Sequence, residues 1–434
     1  MPPQRHWLLA QAVALLTGTS VVVAQPFQAA QPQPSPPGAD FRVGINEGDI
    51  RGDDHRALQA AVNYVASLGG GSVLIGPGRY AMRNALALRD NVRVVGVPGK
   101  TILAACDGFS CRLAADGDCN QREILVTDAS GFRVGDGVAV VDKQASSGFA
   151  VTTATITARL DDTTFRLSRP LYLDYLVSRN ATAHLAFPVV GGWQVKNAAI
   201  EGLTIEGNRD KAQPLDGCRG GGIYLFECAD VAIRNCTVRN YNGDGISFQV
   251  SANVTVEDCL AENNAGHGLH PGSGSQKPAV RRCRSTGNGQ DGLFVCWRVQ
   301  HGRFEKNELA GNLRAGISIG HKDTDNRFGD NRVLRNGGAG LVFRDEAEAM
   351  GAHRNVFENN HFLDNGVKGA RGATRAAIVI HGHHHDLVFT GNTIGNTNAP
   401  GTPTVGFLVS KFANNTRTHD NKFLNVDRVL ETPK

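Results

Sequence analysis

The chain has 434 residues, a formal charge of +4, 52 glycines, 6% aromatic and 20% charged residues. So mild a charge, with no basic run and no aromatic interleaving, argues against a nucleic-acid partner. Abundant glycine and few aromatics suit short strands and turns rather than helices, and a repeat that stacks lets this length form one elongated domain.

Residues 1–24 carry Arg5 and His6 ahead of an apolar run from Trp7 to Val23 that ends Val-Val-Ala before Gln25. This pattern predicts a secretory signal peptide and a secreted or periplasmic mature protein. No later stretch approaches the roughly 20 apolar residues that span a bilayer, so no membrane span is predicted. Residues 25–41 are rich in Pro, Gln and Ala and read as an extended linker.

The folded domain is expected over 42–430. It opens with the one clear helix, HRALQAAVNYVASLGGG, capped by Asp53-Asp54 and stopped by Gly69–Gly71. Its apolar stripe (Ala57, Leu58, Ala61, Val62, Val65) predicts a lid over the open end of whatever follows. Residues 112–190 alternate apolar and polar residues between Gly and Asp turns, which predicts an antiparallel β insertion beside the main body. Cys106, Cys111 and Cys119 cluster there, Cys218 and Cys228 bracket a loop, and in an exported chain these five are disulfide candidates.

Regular repeats occupy 195–425. The frames NCTVRNYNGDGISF, DCLAENNAGHGLHP, RCRSTGNGQDGLFV, KNELAGNLRAGISI and DNRVLRNGGAGLVF align without gaps. Asp244, His267, Asp291, Ala315 and Ala339 hold one place, at steps of 23 and then 24 residues. Each unit reads as strand, turn, strand, turn, too short to bury its own apolar face, so successive coils must stack with parallel strands. The predicted architecture is an all-β right-handed parallel β-helix solenoid with an N-terminal capping helix and an antiparallel insertion. One column of Cys236, Cys259 and Cys283 continues as Asn307, Asn331, Asn360 and Asn392, and a second holds Asn264, Asn288, Asn312, Asn336 and Asn365. An asparagine repeated at one turn of each coil can pass amide hydrogen bonds from coil to coil.

Along the GxxF-type strands, alternation turns Tyr224, Ser247, His270, Phe294 and Ser318 outward. Just beyond them, residues unusual for a solenoid face share the pitch: Trp297, His321 and Asp345, then Arg298, Lys322 and Glu346. Stacked coils lie about 4.8 Å apart, so these six groups should form one patch about 10 Å tall, bordered by His270. A sugar chain calls for this mixture, with an aromatic ring for the pyranose face and charges to hold a uronate and move protons.

The order GDDHRALQAAVNYVASLGGGSVLIGPGRY, NVRVVGVPG and then PbH1-type repeats resembles the pectate-lyase-like superfamily of secreted right-handed β-helix proteins. The resemblance covers roughly 42–430; it specifies fold more than reaction, since that superfamily holds lyases, hydrolases, epimerases, transferases and proteins without known catalysis.

The expected function is therefore a secreted carbohydrate-active enzyme acting on an acidic, uronate-containing polysaccharide, with β-elimination slightly ahead of hydrolysis. Candidate catalytic residues are His270, Arg298, His321, Lys322, Arg344 and Asp345. Arg298 or Arg344 would clamp the carboxylate, and Lys322 or His321 would take the proton. Trp297, Tyr224, Gln249 and Glu346 are candidate sugar contacts. The residues establish no cofactor; the resemblance implies Ca²⁺, for which Asp323 and Asp325 offer oxygen ligands. A uronate epimerase would use almost the same groups. A glycoside hydrolase would use Asp345 with Glu346 or Asp323, or Asp244 with Asp291, although aspartate is ordinary in those turns. A non-catalytic glycan- or metal-binding solenoid is the third reading, with His381 and His383 on one strand face as metal ligands.

Overall fold

The structure is a computed structural model that describes residues 38, 40–142, 151–367, 374–398 and 402–432. The expected signal peptide and all but the end of the expected linker lie outside the described residues.

Each coil visits three sheets in turn, as in Ala232–Arg234, Thr237–Arg239 and Ile246–Gln249. Among the described residues the sheets hold 13, 11 and 11 strands, parallel within the coils. The repeat's register is direct: Ile246 faces Leu269, and Phe248 faces Pro271. The sequence suggested two strands per coil, and the structure has three. The middle one is only three residues long, bounded by the two turn columns, too short to display alternation. Inward residues Ile246, Phe248, Leu293, Val295, Ile317, Ile319, Leu341 and Phe343 form the continuous core. Phe304, Phe328, Phe357 and Phe389 stack along the axis at 4.7, 4.6 and 4.9 Å.

Both columns are hydrogen-bonded ladders. Asn288 Nδ2 donates to Asn312 Oδ1 at 2.9 Å, Asn312 to Asn336 at 2.9 Å and Asn336 to Asn365 at 2.9 Å. The other runs Asn307, Asn331, Asn360, Asn392 and Asn421 at 2.9–3.0 Å. Each bond is worth about 1 kcal/mol net, and far more is lost when a buried partner is orphaned. The cysteines play the same part: Cys283 Sγ reaches Val256 O at 3.4 Å, as Asn307 Nδ2 reaches Val280 O at 2.9 Å. At Gly268 a Cβ would meet Ser285 Oγ at 1.9 Å, so glycine is required beside the ladder.

The helix His55–Ser67 has Asp54 as N-cap, which accepts from the backbone N–H of Arg56 and Ala57, and it buries Leu58, Ala61, Val62 and Val65 against the first strands. The insertion is a six-stranded antiparallel sheet built from strands between Ser110 and Leu185. All nine cysteines are free thiols, which departs from the expected disulfides. No helix among the described residues is long and apolar enough to cross a membrane.

Candidate functional site

Alternation was expected to turn Tyr224, Ser247, His270, Phe294 and Ser318 outward from the third sheet. The N-terminal half of that outer face is covered by the segment 207–222, which leaves the second sheet after Glu206 and rejoins the third at Ile223. Gly217 O accepts from Ser247 Oγ at 2.6 Å and from Gln249 Nε2 at 3.4 Å, and Cys218 O accepts from Tyr224 Oη at 2.8 Å. Tyr224 and Gln249, expected to contact sugar, are thus buried and bonded to this cover. A 16-residue connection where neighbouring coils use a handful gave no pattern from which its path was readable.

Under its edge lies a cluster of acids and imidazoles. Asp244 Oδ2 holds His270 Nδ1 at 2.7 Å, and Asp244 Oδ1 accepts from the His267 backbone N–H at 2.8 Å. His267 Nδ1 lies 3.3 Å from Asp291 Oδ2, and its ring stacks on Phe294 at 4.0 Å. Burial pushes the pKa of Asp244 and of Asp291 up, but the facing histidines and backbone donors outweigh it and keep both carboxyls below the usual carboxylate range. His270 is 3% exposed. Its Nε2 is buried and bonds to nothing. An imidazole held at one nitrogen by a buried carboxylate and open at the other is the arrangement of a general base. Sequence reasoning found His270 and read Asp244 as a turn residue. The available signal was that the place before the ladder glycine holds Asp, His and Asp in three successive coils and Ala in the next two.

Phe294 joins this cluster to a second one at the turn between the third and first sheets. The His270 ring lies 4.9 Å from Phe294, and the Arg344 guanidinium lies 4.8 Å from the same ring. Arg344 also donates to Ser318 Oγ and Val295 O at 2.9 Å and to Asp323 Oδ2 at 3.2 Å. It is therefore largely committed within the protein, rather than free to clamp a ligand. Asp323 is fully buried and accepts from the N–H groups of Val299 and Gly320. Burial pushes it up to about 7 despite Arg344. His321 Nε2 lies 3.0 Å from Glu346 Oε1. Burial, then Arg344, lowers His321, and burial raises Glu346, so both lean toward their neutral forms.

At the surface Trp297, 38% exposed, tilts against His321 at 5.2 Å, with the Arg298 guanidinium 5.9 Å from its ring. Lys322 is exposed and has no ion pair among the described residues. Trp297, Arg298, His321 and Lys322 have φ of 152°, 61°, 46° and 65°. Left-handed backbone recurs at the turns of this solenoid, as at Lys277, His301 and Lys306, so it belongs to the coil rather than to these residues alone. Of the residues that share the pitch, Trp297, Arg298, His321 and Glu346 lie together, with Arg344 against His321 and Glu346. Glu346 meets His321 instead of Lys322, and Asp345 is exposed outside the cluster. The longer next coil, 29 residues between ladder positions Asn336 and Asn365, breaks the 24-residue register just here.

The cation ligands do not converge as expected. Asp323 is saturated by donors, and Asp325 makes a two-point bridge to Arg354 at 2.7 and 2.8 Å. The two carboxylates have no common opening for Ca²⁺. His381 is exposed, and His383 stacks on Phe412 at 4.4 Å with Nδ1 3.3 Å from Glu348. Among the described residues the three-ligand grouping is Glu348, His353 and His385. His353 Nδ1 there accepts the His385 backbone N–H at 3.1 Å, which puts the proton of the neutral ring on the other nitrogen and blocks it as a ligand.

The family described as a right-handed β-helix region matches residues 189–281 and 222–394. Mannuronan C5-epimerase AlgE2 of Azotobacter vinelandii is 22% identical over 336 residues, which cover 75% of this chain and 24% of the epimerase. AlgE5 of the same organism matches equally well, at 22% over the same 75% and 24%. This chain therefore spans about a quarter of the length of the curated relatives it matches. Among solved structures, the A-module of A. vinelandii AlgE4 superposes with a TM-score of 0.57 at 16% identity, over 90% of this chain and 97% of the module. The Dettilon tailspike protein gives 0.53 at 13% identity, over 87% of this chain and 64% of the tailspike.

Proposed function

We propose that this chain, a right-handed parallel β-helix protein of the pectate-lyase-like superfamily, is a carbohydrate-active enzyme that removes the C5 proton of a uronate within an acidic polysaccharide. The observation that carries the reading is the Asp244–His270 pair, 2.7 Å apart, with His270 Nε2 unpartnered and its ring joined through Phe294 and Arg344 to the cluster that carries His321 and Trp297. Support also comes from curated relatives named for C5 epimerisation of mannuronan.

A proton on the carbon next to a carboxylate leaves only if the carboxylate's growing charge is compensated. Arg298 and Lys322, exposed and without carboxylate partners among the described residues, supply that charge. Trp297 offers its ring to a pyranose face. His270 Nε2 takes the C5 proton while Asp244 stabilises the imidazolium formed. The electron pair passes into the C6 carboxylate. Return of a proton to the opposite face, from the His321–Glu346 pair, completes an epimerisation. Loss of the C4 glycosidic oxygen instead gives a C4–C5 double bond, which is the lyase outcome. Nε2 is buried in this structure, so a sugar reaches it only after a local rearrangement of the side chains around it.

The test is incubation with polymannuronate and polygalacturonate in D₂O, with deuterium at C5, ultraviolet absorbance and reducing ends all followed. Deuterium without absorbance identifies an epimerase, and absorbance identifies a lyase. Reducing ends with neither would overturn proton abstraction in favour of hydrolysis.

A further inference from the structure

At the N-terminal end of the same outer face, a cleft of about 610 Å³ lies between the capping helix, the insertion and the strand Val190–Trp193. Its walls carry Arg56, Arg89 and Arg169 and no carboxylate. Arg56 is engaged by Asp54 at 2.6 Å. Arg89 bonds only to its neighbour's carbonyl, Leu88 O, at 3.0 Å. Arg169 has no ion pair among the described residues and lies over the Trp193 ring at 5.3 Å. His55, also in the wall, has its Nδ1 buried without a partner.

The uncharged walls are fixed. Asn84 Nδ2 donates to Gly135 O and Thr155 Oγ1 at 3.0 and 2.9 Å, which ties the insertion to the first coils. Gln59 exchanges hydrogen bonds with Ala87 at 2.7 and 3.0 Å, which ties the helix to them. A rigid cleft with unpaired guanidinium groups, an indole face and no negative charge is built for a planar anion on an apolar ring. The Trp193 ring in turn lies 6.3 Å from Tyr224, which is buried under the 207–222 cover. Three interstrand steps separate the Trp193 strand from that of His270, roughly 14 Å.

We infer that this cleft is a second saccharide site, which takes a carboxylate-bearing sugar of the same polymer several residues away from the reacting one. Arg169 and Arg89 hold the carboxylate, and Trp193 backs the ring. The polymer is then anchored at the capped end and runs outside the 207–222 cover to the reacting unit at His270. The identification of the polymer as a uronate chain rests on the function proposed above; the cleft's preference for an anionic sugar rests on its own walls.

Two readouts on the full chain test this. Binding of short and long mannuronate oligomers is measured by titration calorimetry, with neutral mannose oligomers of matching lengths as controls, on the natural chain and on Arg89→Ala/Arg169→Ala. Both side chains are exposed, so the double variant should fold normally. Long acidic oligomers are expected to bind the variant at least about tenfold more weakly, the loss of charge-assisted hydrogen bonds. Neutral oligomers should bind neither form measurably. Equal affinity of both proteins for long acidic oligomers would overturn the inference, as would equal affinity of the natural chain for neutral ones. Turnover is followed separately in D₂O. If no uronate polymer exchanges at C5 yet the arginine-dependent binding persists, the catalytic reading fails and the cleft stands. If exchange occurs and affinity ignores both arginines, the cleft fails alone.

Discussion

The corner that carries the asparagine ladders and the outer face of the third sheet are made by the same 24-residue repeat, yet they solve opposite problems. On the ladder side successive coils repeat one residue, with cysteine ahead of asparagine in one column, and the amides from Asn288 to Asn365 meet at about 2.9 Å. On the outer face adjacent coils carry Ser247, His270, Phe294 and Ser318, and His270 keeps an unpaired buried nitrogen. The first region is where repetition holds the fold, and the second is where the fold tolerates exceptions. Position in the coil distinguishes them: Asn at the ladder turns is structural, while His270 on the outer face and Trp297 and Lys322 just beyond it interrupt the repetition.

The comparison breaks most visibly if catalysis leaves the outer face. His270→Ala should lower the C5 exchange rate by about 10²–10⁴, the usual worth of a general base. The melting temperature should fall as well, because the buried Asp244 carboxylate loses its partner, so the rate is read per folded molecule. Arg344→Ala should likewise cost stability, because Asp323 loses its partner. Removing one member of a buried charge pair costs about 3–5 kcal/mol, readable by urea unfolding. Asn336→Ala strikes the opposite side. It orphans the Asn312 amide and the Leu309 carbonyl, at about 1–3 kcal/mol for each buried group. The rate of the protein that remains folded should not change.

A gentler probe is pH. Asp323, pushed up to about 7, keeps a proton in the folded chain that the unfolded chain gives up near the ordinary carboxylate range around 4. Stability should fall as pH rises from about 4 to about 7, by at most about 1.4 kcal/mol per unit, and level off above. Asp323→Asn should flatten this slope. The smallest effect is expected from Trp297→Ala, a loss of about 0.5–1.5 kcal/mol of ring contact, seen as a rise in KM of about two- to tenfold with kcat nearly unchanged.

Much of the ladder side was legible in the sequence, because a column such as Asn312, Asn336 and Asn365 states its own register. The capping helix was legible for the same reason, through Asp54 and the spacing of Leu58, Ala61 and Val62. The outer face was legible only in part. His321 and Trp297 were paired by pitch, and so they are. Asp244 was hidden because aspartate before glycine has a sufficient local explanation, and only the fold shows it turned onto His270. The cover at 207–222 was hidden because a long connection without periodicity does not announce what it lies on. The cleft by Trp193 was hidden because its arginines come from segments about 80 residues apart in sequence, Arg89 and Arg169, brought together by an insertion whose docking no pattern encodes.

The ladders also bear on how the protein ages. Asn288, Asn336 and Asn365 are each followed by glycine, the sequence in which an asparagine side chain is most easily attacked by the next backbone nitrogen and lost as ammonia. In the coil those nitrogens are engaged: Gly289 N–H donates to Asn264 O at 2.8 Å, Gly337 to Asn312 O at 2.8 Å and Gly366 to Asn336 O at 3.0 Å. Folding therefore acts as a chemical preservative. Once a stretch uncoils, the same asparagines become the first to turn into carboxylates, and a carboxylate cannot rejoin a buried amide ladder without a large penalty. Prolonged unfolding should be recorded in the chain as permanent negative charge, so that time spent uncoiled, rather than heat itself, limits recovery.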